Sequence, residues 1–315
     1  MSREYRPRRS CLTVPGSSER FLAKAAALPA DEVILDLEDS VTPGAKESAR
    51  SRVAAAATGG DWTGRVLAVR VNDAATGWAY RDVIEVTERA GTRLDTIVLP
   101  KVSGPAQVAW LDTLLTQIER AIGLPEGKIG IEAQIEDAAG LSLADRIAAA
   151  SPRLESLIFG PADFMASVGM RSLSIGAPPA GYPSDAFHYA LLRILIAARA
   201  NGLAAIDGPF AAIGDREGLE RSAVSAAALG FDGKWVVHPD QVTPVNSAFA
   251  PSQQEYERAE RILAAYARAT DVDQRGAVLL GGEMIDEASR KLALVTVTRG
   301  RAAGLRRDPG GDPAG

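Results

Sequence analysis

Eight short apolar runs recur along the chain, each followed by an Ala-rich amphipathic stretch, and this alternation constrains the fold more than any other feature. The runs are CLTV (11–14), EVILDL (32–37), RVLAVRV (65–71), DTIVLP (95–100), IGIEAQI (129–135), SLIFG (156–160), LAAID (203–207) and KWVVH (234–238). They are near-continuous in Val, Ile and Leu rather than alternating, as expected of parallel strands covered on both faces. Between them lie helical patterns such as SERFLAKAAAL, PAQVAWLDTLLTQIERAI, SDAFHYALLRILIAARANG and REGLERSAVSAAALG. Several finish with Gly after the last apolar turn, a common helix stop. Eight strand–helix units predict a (β/α)₈ barrel, the TIM-barrel architecture. The alternative is an open doubly wound sheet, which the lack of a G-x-G-x-x-G after the first run disfavours.

Residues 252–300 change character. SQQEYERAERILAAYARAT reads as a polar amphipathic helix, DVDQRGAVLLGGEMIDEA as a turn-rich stretch, and ASRKLALVTVTRGRA as a second helix. The expected organisation is a barrel over 1–250, a C-terminal helical lid over 251–300, and a Gly/Pro-rich tail over 301–315 expected to be disordered. Acidic residues outnumber basic ones, 40 to 35, so no broad basic face is available for a nucleic-acid backbone. No apolar run approaches the length of a membrane-spanning helix. The opening MSREYRPRRSCLTVPG is basic but has no apolar core segment, so a secretory signal is not expected. The single cysteine, Cys11, cannot form an internal disulfide or a thiolate metal cluster, and a cytoplasmic enzyme is the simplest expectation.

In such barrels the chemistry sits on loops after the C-terminal ends of the strands, so charges in or just after the apolar runs are informative. The second run ends in Asp36, Glu38 and Asp39, the third carries Arg70, and Lys101 follows the fourth. The fifth carries Glu132 and ends in Glu136 and Asp137. Asp163 follows the sixth, the seventh ends in Asp207 and the eighth in His238. Burying such groups costs several kcal/mol each unless they are paired or bound to a metal. A ring of acids with two fixed cations, Arg70 and Lys101, is expected of a metal site that takes an anionic substrate.

Glu136 and Asp163 are the best metal ligands of this set. Two carboxylates from adjacent strand ends, with positions left for water and substrate oxygens, suit Mg²⁺, with Mn²⁺ as a substitute. The two histidines, His188 and His238, are too few and too far apart for a typical zinc site. The competing reading makes both acids helix caps. Arg70, inside LAVRVND, cannot be deprotonated and needs an anion; that anion is either a substrate carboxylate or enolate, or Asp36 or Glu38 in a structural pair.

At these residues the chain resembles the citrate lyase β-subunit-like branch of the HpcH/HpaI aldolase superfamily, and within it the malyl-CoA/β-methylmalyl-CoA/citramalyl-CoA lyases. The matching stretches are TVPGSSERFLAKA (13–25), ILDLEDSV (34–41), VRVND (69–73), VLPKV (98–102), IEAQIEDAAG (131–140), ESLIFGPADFMASVG (155–169), AIDGPF (205–210), GFDGKWVVHPDQ (230–241) and GGEMIDEAS (281–289). They cover nearly the whole chain, and their order at strand ends makes the resemblance specific. It implies a TIM barrel, Mg²⁺ on Glu136 and Asp163, and Arg70 on a glyoxylate- or pyruvate-like fragment. It also implies that an aspartate of the C-terminal segment, here Asp286, acts as acid/base, often in a neighbouring subunit's site. A helix N-cap before EASRKL is the competing reading of Asp286. Arg20 and Lys24 fall where such enzymes meet CoA phosphates, with a solvated helix face as the alternative. His238 and Pro239 fall in a substrate-side loop, with a structural histidine as the alternative.

The resemblance thus implies reversible C–C cleavage of a 3-hydroxy dicarboxyl-CoA to an acyl-CoA plus glyoxylate or pyruvate. Arg70, Asp286, Glu38 and Asp39 are the candidate catalytic set, in a homotrimer or homohexamer that binds neither nucleic acid nor membrane. Three other readings stay open: a malyl-CoA thioesterase on the same scaffold, a non-catalytic citrate-lyase-type β subunit, and a metal-dependent aldolase on free 2-keto acids.

Overall fold

A parallel sheet buried on both faces has edges that must be covered or closed, and this chain closes them. The computed structural model describes residues 5–176, 185–272 and 274–307. The strands are β1 (Ser10–Pro15), β2 (Glu32–Asp36), β3 (Val66–Arg70), β4 (Thr96–Leu99), β5 (Gly130–Ile135), β6 (Leu154–Phe159), β7 (Ala204–Asp207) and β8 (Gly233–Val236). They are parallel neighbours in sequence order, and β1 pairs with β8 to complete a closed barrel. The open-sheet alternative is thereby excluded. Each strand lies within a residue or two of its expected run. The differences fall at strand ends, where the last residues leave the ladder and turn toward loops.

The helices that follow these strands are α1 (Glu19–Ala25), α2 (Lys46–Gly59), α3 (Ala79–Ala90), α4 (Pro105–Ile122), α5 (Ala138–Ser142), α6 (Ala144–Ala148), α7 (Pro161–Ser167), α8 (His188–Ala200), α9 (Arg216–Leu229) and α10 (Pro239–Phe249). Their starts follow from local chemistry. Ser18, Asp137 and Asp215 accept a backbone N–H in the first turns of α1, α5 and α9, and Gly104 with Gln107 opens α4 ahead of Pro105. Gly123 and Gly230 end α4 and α9 in the left-handed conformation, which carries no Cβ penalty for glycine.

The barrel interior is polar at both ends and apolar between. Cys11, Ile34, Ala68, Val98, Ile158, Ile206 and Trp235 form the middle. At the strand N-terminal end, Arg8 pairs with Glu32 at 3.0 Å and Glu155 at 2.5 Å. Thr96 and Ser156 hydroxyls donate to Glu132 at 2.7 and 2.5 Å. Glu132 therefore belongs to the barrel floor and leaves the acidic ring expected at the mouth. Strand alternation is the reason: Glu132, Gln134 and Glu136 all face inward, but successive inward residues climb the barrel axis by about 6–7 Å.

Two units are distinguished by contacts within the chain: Arg8–Asn246, which holds the barrel, and Met1–Pro7 with Ser247–Gly315. The second unit contains α11 (Gln253–Asp271), strands β9 (Val278–Leu280) and β10 (Glu283–Ile285), and α12 (Glu287–Ala302). Tyr256 and Ala259 of α11 pack against Ala293 and Val297 of α12. Gly300 lies under the Tyr256 ring, where an added Cβ would sit 2.3 Å from a ring carbon. The stretch read as turn-rich contains a β-hairpin. Leu280 pairs with Glu283 across Gly281 and Gly282, whose φ values are 58° and 84°, the two left-handed positions a tight hairpin turn requires. The tail also begins later than expected, because α12 continues to Ala302. Residues 308–315, the rest of the expected disordered tail, lie outside the described residues.

Candidate active site at the barrel mouth

The mouth is organised by Arg70, the last residue of β3, opposite Asp36, the last residue of β2. Parallel register places the two side by side. The Arg70 fork meets the Asp36 carboxylate through Nε at 2.7 Å and Nη2 at 2.9 Å, the bidentate geometry that distinguishes arginine from lysine. Its Nη1 stands 3.1 Å from Glu38, and its guanidinium carbon lies 5.2 Å from the Trp235 ring centre on β8. Burial alone would raise Asp36, but the Arg70 charge and hydrogen bonds from Arg70, Ser40 and Glu38 hold it below the usual carboxylate range. The structural pair foreseen as the competing reading of Arg70 is thus present. A guanidinium has five N–H groups; two of them donate to Asp36, and Nη1 faces Glu38 as an ion pair.

Glu38 and Asp39 sit on the turn after β2. The Lys46 ammonium of α2 holds that turn by donating to the Leu37 and Glu38 carbonyls at 2.8 and 2.7 Å. Glu38 is buried between Arg70 and Lys101, while Asp39 is exposed and lies 3.4 Å from Lys101 Nζ. Lys101 also reaches Asp163 at 3.8 Å, so it is the ion-pair partner of the acidic ring that its strand-end position suggested.

Glu136, just past β5, is 3% exposed. Its Oε1 accepts the Lys101 backbone N–H at 2.6 Å and its Oε2 accepts from Gln134 Nε2 at 2.9 Å. Burial pushes its carboxyl up to about 8; the Lys101 N–H and the Arg70 charge oppose this, and Asp163 and Glu38 add to it. Gly160 makes the approach to β6 possible, since an added Cβ would lie 2.4 Å from Glu136 Oε2. Asp163 stands in the first turn of α7 and is half-exposed. Asp137, beside Glu136, instead caps α5 by accepting from Gly140.

Asp36, Asp39, Arg70, Glu136, Asp163 and Trp235 are among the residues that line one cavity of about 410 Å³. A second cavity of about 460 Å³ adjoins the Lys234–Asp207 pair. Asp207 is engaged there by Lys234 at 2.5 Å, and Lys234 also reaches Ser222 of α9. It too leaves the acidic ring, because its side chain faces the helix layer rather than the barrel axis.

The mouth fits a hard divalent cation on its own chemistry. Glu136 is a buried carboxylate whose charge burial penalises, Asp163 is a second oxygen donor, and the buried Oε1 of Gln134 has no partner. Among the described residues no group of three or more His, Cys, Asp or Glu is placed to hold a metal, so a cation here would complete its shell with water or substrate oxygens.

The remaining candidates are described by their own surroundings. Arg20 and Lys24 are exposed on α1, and Arg20 lies over Phe21. His238 is partly exposed after β8, its Nδ1 accepting from the Asp240 N–H at 3.2 Å, and Pro239 begins α10. Asp286 caps α12 by accepting from Ser289 N at 3.0 Å. Sequence reasoning missed Gln134, Trp235, Gly160 and Lys46. Gln134 had a signal, as the middle of three inward polar residues in an apolar run. The other three had none, because each owes its place to a contact across strands or helices.

The comparisons with known proteins bear on the family and the fold. The L-malyl-CoA/β-methylmalyl-CoA lyase of Cereibacter sphaeroides (strain ATCC 17029 / ATH 2.4.9) is 42% identical over 301 residues, covering 93% of this chain and 94% of that protein. The malyl-CoA/β-methylmalyl-CoA/citramalyl-CoA lyase of Chloroflexus aurantiacus is 32% identical, covering 96% and 90%. Among solved structures, protein CitE from Mycobacterium tuberculosis in complex with magnesium, acetoacetate and coenzyme A superposes with a TM-score of 0.73 at 33% identity, covering 94% of this chain and 98% of that one. Residues 9–239, which hold every strand of the barrel and every charged group of its mouth, match the HpcH/HpaI aldolase/citrate lyase family, and the chain belongs to it.

Proposed function

We propose that this chain is a Mg²⁺-dependent CoA-ester lyase. It reversibly cleaves the C–C bond of a 3-hydroxy dicarboxyl-CoA (malyl-CoA, β-methylmalyl-CoA or citramalyl-CoA) to an acyl-CoA plus glyoxylate or pyruvate. The observation that carries this reading is the 42% identity, over 93% of the chain, to an L-malyl-CoA/β-methylmalyl-CoA lyase. Glu136 and Asp163 would hold Mg²⁺, or Mn²⁺ in its place, which when bound supplies Lewis-acid polarisation and orientation of substrate oxygens.

The chain's own residues supply the rest. Arg70, fixed by Asp36 and Trp235, presents its remaining N–H groups to the carboxylate or the developing enolate oxygen. Glu38 and Asp39 are the carboxylates proposed to take the hydroxyl proton as the C–C bond breaks. Asp286 is assigned the proton at the acyl-CoA α-carbon in the condensation direction. Arg20, Lys24, His238 and Pro239 are assigned to CoA. A homotrimer or homohexamer in the cytoplasm completes the proposal; no described helix is long and apolar enough to cross a membrane.

The test is mass spectrometry of products from a panel of CoA esters, with Mg²⁺ and with EDTA. Glyoxylate plus acetyl-CoA from malyl-CoA, dependent on Mg²⁺, is expected. Malate plus free CoA would make the chain a thioesterase instead. No turnover of any ester would leave a non-catalytic subunit or an aldolase on free 2-keto acids.

A further inference from the structure

Lys101 is one of two non-glycine residues with positive φ among the described residues, at 51°. The left-handed region crowds Cβ against the following carbonyl, and lysine lacks the short polar side chain that lets Asn or Asp relieve it locally. Such a conformation persists where the surroundings over-determine it, and here they do. The Lys101 carbonyl accepts from Gln107 Nε2 at 3.2 Å, while Gln107 Oε1 accepts from Ser103 N and Gly104 N at 2.8 and 3.1 Å. On the far side, Val102 N donates to the Gln134 carbonyl at 3.1 Å. The first turn of α4 and the wall of β5 thus clamp this one residue.

The clamp turns two parts of Lys101 toward the mouth. Its N–H donates to Glu136 Oε1 at 2.6 Å, and its ammonium pairs with Glu38. Because φ sets the N–H relative to the chain that follows, and Val102 is held to β5, an extended φ would not keep both contacts. We propose that Lys101 is a positioning residue that acts through its main chain: the left-handed backbone fixes the Glu136 carboxylate in its ligand orientation before a cation arrives. The inference rests on the proposed metal site and adds to it the residue that presets its buried ligand. Glu136 Oε1 is held by the Lys101 N–H and Oε2 by Gln134, so the carboxylate plane is defined from both ends.

Two substitutions separate main chain from side chain. Lys101→Gly and Lys101→Val both remove the ammonium, but glycine adopts the left-handed region freely whereas a β-branched residue resists it. The readout is Mn²⁺ binding to the full-length protein without substrate, by isothermal titration calorimetry and by electron paramagnetic resonance of free Mn²⁺. Lys101→Gly is expected to bind Mn²⁺ about tenfold or more tightly than Lys101→Val. Equal affinities of the two variants, with wild-type binding intact, would overturn the positioning role and leave the metal site standing. No Mn²⁺ binding by the wild type would overturn the metal reading, and this role with it. Should Lys101→Val fail to fold by circular dichroism, Lys101→Ala takes its place against Lys101→Gly, since it meets the same left-handed penalty with less bulk.

Discussion

Glu136→Gln separates the cost of burying a carboxylate from its use. In the metal-free protein, burial lifts the Glu136 carboxyl from 4.5 to about 8. A raised folded-state pKa means the protonated form is favoured by folding. Its contribution to stability is therefore complete below about pH 4.5, declines as pH rises, and is lost above about pH 8. At about 1.4 kcal/mol per pH decade, the interval amounts to on the order of 4 to 5 kcal/mol. Glutamine keeps the shape and an acceptor for the Lys101 N–H, and the unpartnered Oε1 of Gln134 can turn to accept from the new amide. The variant carries no charge to bury. Thermal melts of both proteins in EDTA between about pH 5 and pH 9 should therefore diverge. The variant gains relative to wild type as pH rises, by roughly 10 °C at the alkaline end for a domain of this size. Every other group is common to the two proteins, so the difference isolates Glu136. Saturating Mg²⁺ should close the gap by stabilising the wild type and not the variant. A difference independent of pH, or equal Mg²⁺ stabilisation of both proteins, would refute the reasoning.

Three further predictions concern turnover. Asp163→Ala should lower the rate at least about 100-fold, and EDTA should abolish activity that Mg²⁺ or Mn²⁺ then restores; full activity under either condition would remove the metal assignment. Arg70→Lys keeps the charge but not the fork, so one of the Asp36 or Glu38 contacts is lost. At about 1.5–3 kcal/mol per charged hydrogen bond, both the melting temperature and kcat/KM should fall clearly, and near wild-type values for both would show that the fork is dispensable. Asp286→Asn retains capping ability, since Asn and Asp cap helices about equally, but removes the carboxylate; a loss of turnover with an unchanged melting temperature would support acid/base chemistry, whereas unchanged turnover would leave Asp286 as a helix cap.

Much of the barrel was legible because burial on both faces of a parallel sheet selects unbroken Val, Ile and Leu runs, a signal each segment carries alone. Glu136, Asp163, Arg70 and Lys101 stood out for a related reason: a charge beside an apolar run is costly, so its presence needs a cause. The same rule over-selected. Glu132 and Asp207 met it equally well, yet one is held at the barrel floor by Thr96 and Ser156 and the other is paired to Lys234 behind the barrel wall. Height along the axis depends on strand stagger, and inward or outward facing depends on pairing register; neither is written within a single run. The hairpin at Gly281–Gly282 is locally encoded by its two glycines, but its strands of three residues each are too short to carry a strand pattern of their own. The partners of the site were not encoded locally at all. Trp235 reaches Arg70, Gly160 admits Glu136, and the left-handed turn at Lys101 depends on Gln107, because closure of the sheet and docking of α4 bring those atoms together. The sequence by itself determined which segments pair and which charges demand an explanation, through burial energies each residue expresses locally. Only the tertiary structure decided which charges share one cavity, because that depends on how eight strands are staggered around a common axis.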